Sequence, residues 1–549
     1  MSDQAPDDRA TAITKLRDRE REKQANIRDL YQQAADLTVP RDTAITHKRS
    51  PGEDVSLRYV DGTAVQDAQI LAAGLATTLL PPGQKFFALS ADDPQYAERD
   101  DVKRYFAMIE EVAHQKMFTS NFTLMINETI YVLSCLGTGC LYVEWDEKEG
   151  RVTYKDYDIA LYQIKENSKG FVDTIILSYE LTARQAVQDY GHDNCSEEVQ
   201  KAADNLDTES KRFEFIHCVR PRETNPLSKK VADSFRWESL HVDVKAKAVV
   251  KERGYEMFPF AVPRWRKSWG EKYGIGQALV ALADIRMLQA MRQSLQKLAN
   301  RLAEPPMEAN ANDLDGTPDL RPNAVNWVDK MGSFAAVDMG VIGNYPITVE
   351  SVEKQQQIIH EAFYRNVFLQ FSDLEGTHRT TVEIRLRAQE GLKLLAQPVA
   401  RLQEELLTPT IVRTIELLIK WGVIPRPPEW LKGYKIEYLG QLALALRDQQ
   451  ATAAIQFTEY LRGVEEVHPG ASKVISFERM HPDVARNFGV KSTHLSTPEE
   501  IEAQERAEAE QAEEQRQAEL AAIAATGYKD TRQAPESGSP AEELAAGVR

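Results

Sequence analysis

No G-x-x-x-x-G-K-[ST] loop occurs anywhere in the 549 residues, so the chain lacks the phosphate cradle of a nucleotide-driven motor. The pairs Gly137/Gly139 and Gly274/Gly276 lack the third glycine of a dinucleotide fingerprint and read instead as turns or helix entries. His360-Glu361 has no second histidine four residues on, which removes a zinc-protease reading. No convergence of Ser, His and Asp is visible in the order of residues, so no catalytic triad is assigned and no enzymatic activity or cofactor is expected. The four cysteines, Cys135, Cys140, Cys195 and Cys218, form no C-x-x-C pair and no dense disulfide spacing, and are expected to be free, buried thiols in a reducing compartment. Met1 to Arg28 has no apolar signal core, and the longest apolar run, Leu71 to Leu80, is too short to span a bilayer. The expectation is a chain that is soluble and cytoplasmic while it folds, with no membrane partner. A basic excess is missing too: 67 Lys plus Arg against 84 Asp plus Glu leave a formal net charge of -17. That excludes a protein gripping nucleic acid over its whole surface, but not one that lets nucleic acid slide past.

What is present is a chain able to bury several cores, with 42% hydrophobic residues and a length that suggests two to four domains. Three long helical stretches stand out, Gly274 to Glu304, Ser351 to Phe371 and Thr381 to Trp421. In the first, Leu288, Leu295 and Leu302 recur every seven residues with Met291 and Leu298 between them, an apolar seam that requires partners. In the second, Val352, Ile359, Phe363 and Val367 supply a similar stripe. Between them, Pro305, Pro306, Pro318, Pro322 and Pro346 forbid a continuous helix. A helix out, a compact excursion and a helix back is the layout of a rod with a small domain at its tip. The third stretch carries Pro398 and Pro409, each of which predicts a bend.

Elsewhere, Arg9 to Leu37, Asp61 to Leu80 and Asp101 to Ser134 show helical spacing. Phe86, Phe87 and Leu89 read as a strand. Between Cys140 and Tyr255 strands dominate, at Cys140–Trp145, Val152–Asp156, Leu161–Glu166, Val172–Tyr179, Phe213–Pro221, Phe235–Val242 and Val249–Tyr255, interrupted by a helix at Thr182–Tyr190. The region predicts an α+β domain of antiparallel character. A shorter helical region, Leu442 to Val464, follows a Pro-rich boundary at Pro425, Pro427 and Pro428.

The segment from Leu71 to Leu89, a helix stopped at Pro81-Pro82-Gly83 and followed by Phe86 and Phe87, resembles a signature of the portal, or head-to-tail connector, proteins of short-tailed, T7-like bacteriophages (podoviruses). Leu136 to Val143, Tyr273 to Gly276 with Pro305 and Pro306 at the end of the helix it opens, Thr380 to Arg387, and Leu402 to Leu407 follow in the same family order. So does a closing stretch, Phe488 to Val490 and Ser496 to Glu502. The matches cover roughly residues 10 to 505.

The resemblance implies an α+β portal fold assembled as a ring, usually a dodecamer, at one capsid vertex, through which double-stranded DNA is packaged and later ejected. It maps residues 1–273 to a wing, 274–304 and 351–371 to two stem helices, 305–350 to a clip and 372–380 to a tunnel loop. It maps 381–441 to a kinked wing helix and its return, 442–491 to a helical crown and 492–549 to an acidic C-terminal extension. Implied partners are the terminase, tail adaptor proteins, and capsid and scaffolding or core proteins. On this view the stem seam, Leu288, Met291, Leu295, Leu298, Leu302, Val352, Ile359 and Phe363, finds its cover on sister subunits in a closed ring.

About twelve copies would carry on the order of -200 formal charges, so the channel is expected to be slippery. The candidate DNA contacts are Thr377, His378, Arg379 and Thr380 in the polar loop that Gly376 allows to turn tightly. The other reading is a solvated connection in which Arg379 pairs with Glu375 or Glu383. Lys297 and Arg301 on the first stem helix are weaker candidates, since helix faces are ordinarily charged. Between Pro498 and Glu519, nine glutamates face only Arg506 and Arg516, which favours a solvated helix over a docking element. Two other classes stay open at this point: an internal virion protein built on coiled coils, and a motor subunit.

Overall fold

The computed structural model describes residues 7–41, 44–50, 52–55, 58–81, 83–97, 99–222, 235–303, 307–309, 334–336, 349–369, 394–428, 430–431, 433–439, 457–461, 506–507 and 509–520. The chain divides into a unit of residues 1–442 and a second of 443–549. Described residues of the second unit are helical at 457–461, where Phe457 and Tyr460 stack, and at 509–520.

The first unit begins with α1 (Asp8–Lys23) and α2 (Ala25–Thr38). The helix expected over Arg9 to Leu37 is thus two helices, joined at Gln24. α3 (Thr63–Leu79) leads to β1 (Phe87–Ala91), followed by the short α4 (Pro94–Ala97). The next expected helix also divides, into α5 (Asp100–Phe118) and α6 (Phe122–Leu136). The turn between them is fixed by Asn121, whose side chain exchanges two hydrogen bonds with the backbone of Tyr154. α6 ends at Gly137, whose φ of 108° is a conformation that only glycine adopts without strain.

Seven strands lie close to the expected ranges, β2 (Leu141–Asp146), β3 (Arg151–Asp156), β4 (Tyr162–Glu166), β5 (Val172–Thr182), β6 (Arg212–Pro221), β7 (Trp237–Asp243) and β8 (Ala248–Tyr255), and a short strand outside them, β9 (Phe260–Ala261), is added. They form a three-stranded sheet, β3-β2-β9, and a five-stranded antiparallel meander, β4-β5-β6-β7-β8. Helices α7 (Ala183–Tyr190) and α8 (Glu197–Ala203) lie in the β5–β6 connection, the first opened by a reciprocal cap between Thr182 and Gln185. The meander is covered on both faces because β6 alternates. Phe213 and Phe215 pack with Ala186 and Val199 of the two helices, while Ile216 and Cys218 pack with Ile13 of α1. All four cysteines are buried.

The chain continues through α9 (Gln277–Val280) into α10 (Leu282–Ala303), then the paired strands β10 (Met307–Ala309) and β11 (Phe334–Ala336), then α11 (Val349–Ala362) and α12 (Arg365–Leu369). The second stretch is not continuous, because Tyr364 adopts φ 54° between α11 and α12. After the undescribed 370–393 come α13 (Ala396–Leu402), a π-helical turn at Gln403–Leu407 and α14 (Thr408–Lys420). Pro409 has no N–H for the carbonyl of Glu405, and the wide turn sits immediately before it. Finally β12 (Tyr434–Tyr438) returns to pair with β1.

One large core joins α2, α3, α6, α10, α11 and α14 to the β1-β12 pair and the β3-β2-β9 sheet. Here an expectation is overturned. Leu288, Val352, Ile359 and Phe363 are fully buried within this single chain and Met291 nearly so, because α11 and α12 pack on α3 and α10 packs on α11. That part of the seam needs no sister molecule. Only towards the end of α10 does cover thin out, with Leu295 and Leu298 half-buried. The side chain of Leu302 is outside the described residues.

Candidate functional site

The site is the junction where the two long helices enter the core, built from three interlocking contacts. The first is a crossing of backbones. A Cβ on Gly137, Gly274 or Gly276 would overlap main-chain atoms of the opposing segment, so only glycine permits Leu136–Thr138 and Gly274–Gly276 to touch. The crossing is tied by Gly276 N–H donating to Leu136 O (3.1 Å) and Trp265 N–H donating to Gly137 O (2.9 Å). The buried Tyr31 hydroxyl donates to Gly274 O (2.6 Å), and Gly274 N–H donates to Thr138 Oγ1 (2.8 Å). Gly137 of the first glycine pair and both glycines of the second form one lock that sets the direction in which α9 and α10 leave, while Gly139 packs on Thr129 of α6.

The second contact is a buried ion-pair cluster. Arg264, almost wholly buried, donates from Nε (3.0 Å) and Nη2 (2.9 Å) to the two carboxylate oxygens of Glu405, and its own backbone N–H donates to Glu405 as well (2.9 Å). Its Nη1 pairs with Glu166, which also holds Lys267 Nζ at 2.7 Å. Burial alone would make the Arg264 cation easier to discharge; the two carboxylates outweigh it and hold its pKa above the ordinary value. Glu405 reaches Arg264 from the π-helical turn.

The third contact clamps α10, α11 and α12 to α3. Asp67 is fully buried and receives His360 Nδ1 (2.6 Å) and Arg365 Nη1 (2.7 Å), one from each side of the break at Tyr364. Asp61 receives Arg292 Nε of α10 (2.8 Å) and Gln356 Nε2 of α11 (3.3 Å). Burial pushes Asp61 up, but hydrogen bonds from Thr63 and Arg292 prevail and hold it below the usual carboxylate range. Gln289 of α10 accepts from the backbone N–H of Val60 and Asp61 (2.7 and 2.9 Å). A Cβ on Gly74 would overlap the Phe368 ring, so the α12 aromatic lies directly on α3. Each cation here is spent on a carboxylate at a packing contact, which is the chemistry of a joint. Among the described residues no group of His, Cys, Asp and Glu is arranged to hold a metal ion.

Of the residues singled out from sequence, Leu288, Met291, Val352, Ile359 and Phe363 are brought together in the core beneath this joint. Lys297 and Arg301 are exposed on α10. Thr377, His378, Arg379 and Thr380 lie outside the described residues. Sequence reading passed over Asp61, Asp67, Arg264 and Glu405. The signal for Asp67 was an acid on the apolar stripe Ala64, Ala68, Leu71 and Leu75 of α3, where only a buried partner explains it.

Residues 10–495 match the family described as "Bacteriophage head to tail connecting protein". The chain is 24% identical over 503 residues to the "Portal protein" of Salmonella phage epsilon15, covering 89% of this chain and 90% of that one. It is 23% identical over 467 residues to the "Probable portal protein" of Bordetella phage BPP-1, covering 84% of each. A shorter likeness, 23% over 234 residues, joins it to the "Portal protein" of Pseudomonas phage phiKMV, covering 41% of this chain and 42% of that one.

Proposed function

The chain belongs to the bacteriophage head-to-tail connecting proteins, and from that premise we propose that its copies close into a ring of about twelve subunits at one capsid vertex, through which DNA enters and leaves. The ring is a structural conduit without catalysis of its own. In this reading α10 and α11 are the stem, residues 305–350 are the clip that docks first the terminase and then tail adaptor proteins, and 372–380 is the tunnel loop facing DNA. Residues 1–273 are the wing, 442–491 the crown, and 492–549 an acidic extension that is solvated.

The observation that carries the reading is the joint. α10 departs from, and α11 returns to, one buried core, and Asp61, just before α3, holds both. Such a pair can bear load between an excursion at one end and a loop at the other, because its root is fixed by buried charge and by close-packed glycine. Arg365 and Phe368 extend the same grip to the last described residues before the loop at 372–380.

Negative-stain microscopy of the purified full chain tests the proposal: rings with a central hole are expected, and rods or heterogeneous bundles would overturn it. Packaging energy must come from another protein, so ATP turnover by the purified chain should stay at background.

A further inference from the structure

Trp269 is completely exposed, at the apex of a turn whose ends are fixed. Glu271 N–H donates to Ser268 O (3.2 Å) and Gly270 takes φ 81°, which makes Ser268–Glu271 a type II turn with Trp269 at its first corner. At the base of the loop Lys267 bridges Gly274, and Ile275 N–H donates to Arg266 O (2.7 Å). The indole is therefore presented rigidly, with the exposed Arg266 close to it in the same loop.

The same unit carries an open cleft of about 300 Å³. Its walls include Trp237, Met257, Phe258 and Pro409, and its border includes the exposed carboxylates of Glu256 and Glu404. A volume at the bottom of the range for small-molecule sites suits one aromatic side chain better than a cofactor. The chain's own Trp269 does not fill it, being fully in solvent.

We infer that Trp269 of one subunit inserts into this cleft on the adjacent subunit, with Arg266 facing Glu256 and Glu404. The inference rests on the ring reading above and adds a specific contact to it. Charge favours a second copy as the occupant: a cation accompanies the knob, and among the exposed charged residues of the hole Glu256 and Glu404 outnumber Arg236, which lies over the Trp237 ring at 5.8 Å. A knob and a distinct hole on one chain make a head-to-tail contact, the kind that generates rings when each step turns by a fixed angle. The angle is fixed because Arg264 lies in the cleft wall and also begins the segment that carries Trp269, with Glu405 and Glu166 holding it in place.

Two full-length chains carrying different tags, one with Ser268→Cys beside a retained Trp269 and the other with Glu256→Cys at the cleft border, are mixed, assembled and oxidised. The four native cysteines are buried, so the background is low. The expected product is a doubly tagged disulfide-linked dimer within rings, abolished by reductant. Trp269→Ala should raise the protein concentration needed for ring formation by roughly thirtyfold, the effect of losing one hot-spot aromatic, while its monomer melts as wild type does. Trp269→Phe should restore most of the assembly. Rings that form without the cross-link, and Trp269→Ala rings as stable as wild type, would overturn this contact while leaving the ring intact. Failure of the wild-type chain to form rings would instead overturn the ring itself.

Discussion

Arg264 and Glu405, 141 residues apart, meet as a two-pronged ion pair in which the guanidinium edge faces both carboxylate oxygens at 2.9 and 3.0 Å. The pair joins the segment leading into α10 to the π-helical turn leading into α14, so it ties two distant parts of the chain together. With Arg264 nearly inaccessible, removal of either partner strands a charge.

Glu405→Ala is expected to destabilise the protein by roughly 3–5 kcal/mol, the cost of leaving a buried charge without its partner. Thermal unfolding of the purified monomer reads this directly. Glu405→Gln should cost less, because the amide still accepts one of the guanidinium hydrogens. Equal melting of Glu405→Ala and wild type would show that Glu166 alone satisfies Arg264.

Asp67 separates stability from joint mechanics. Asp67→Ala leaves His360 and Arg365 without their shared acceptor on either side of Tyr364. Amide exchange in 349–369 should then accelerate by at least tenfold, while 408–420, which Asp67 does not touch, keeps its protection. Uniform acceleration over both segments would mean that Asp67 supports the whole core, not the joint.

Much of this architecture was legible in the residues, and the reasons differ by element. β-branched and aromatic residues placed the meander strands to within a few residues, and cover on both faces fills successive positions such as Phe215 and Ile216 with apolar side chains. Helix interruptions were less legible. The breaks at Gln24 and Tyr364 carry neither Pro nor Gly, and tertiary contacts impose them. The seam of α10 and α11 was visible, but periodicity shows only that a face is apolar, never which surface covers it; α3 of the same chain packs on α11 and α12, and α11 packs on α10. The polar joint was least legible, because its pairings span from 98 to 298 residues in sequence.

Asp156 gives a pH dependence of known sign. Burial first, then the nearby carboxylates Glu128 and Asp158, raise its pKa to about 7 although Thr129 Oγ1 lies 2.6 Å away. A carboxyl that holds its proton more tightly when folded contributes stability below its unfolded pKa of 3.8, and loses it as pH rises through about 7. The advantage of Asp156→Asn over wild type should therefore already exist near pH 5 and grow by roughly 2–3 kcal/mol between pH 5 and pH 8. Burial lowers His114 to about 4 and His217 to about 3, and lowers His241 also; these groups destabilise the fold on acidification. They are common to both proteins and cancel in the difference. A constant difference in melting temperature from pH 5 to 8 would show that Asp156 is ionised throughout.

The last prediction separates DNA contact from architecture at Arg379. The proposed ring carries a strongly negative formal charge, so passing phosphates are held off except where a cation faces them, and a single Arg per subunit supplies a contact without fixed register. Arg379→Ala should leave ring assembly and melting unchanged, because the joint that holds the neighbouring helices draws on Asp61, Asp67 and Arg264 instead. It should reduce retention of packaged DNA in assembled heads, by an amount that shrinks as salt is raised, since screening weakens the lost contact in wild type too. Loss of rings on this substitution would move Arg379 from the channel to the framework, most simply through a pair with Glu375 or Glu383. Retention that is unchanged at low salt would leave the loop as a solvated turn, and the channel would then work by repulsion alone.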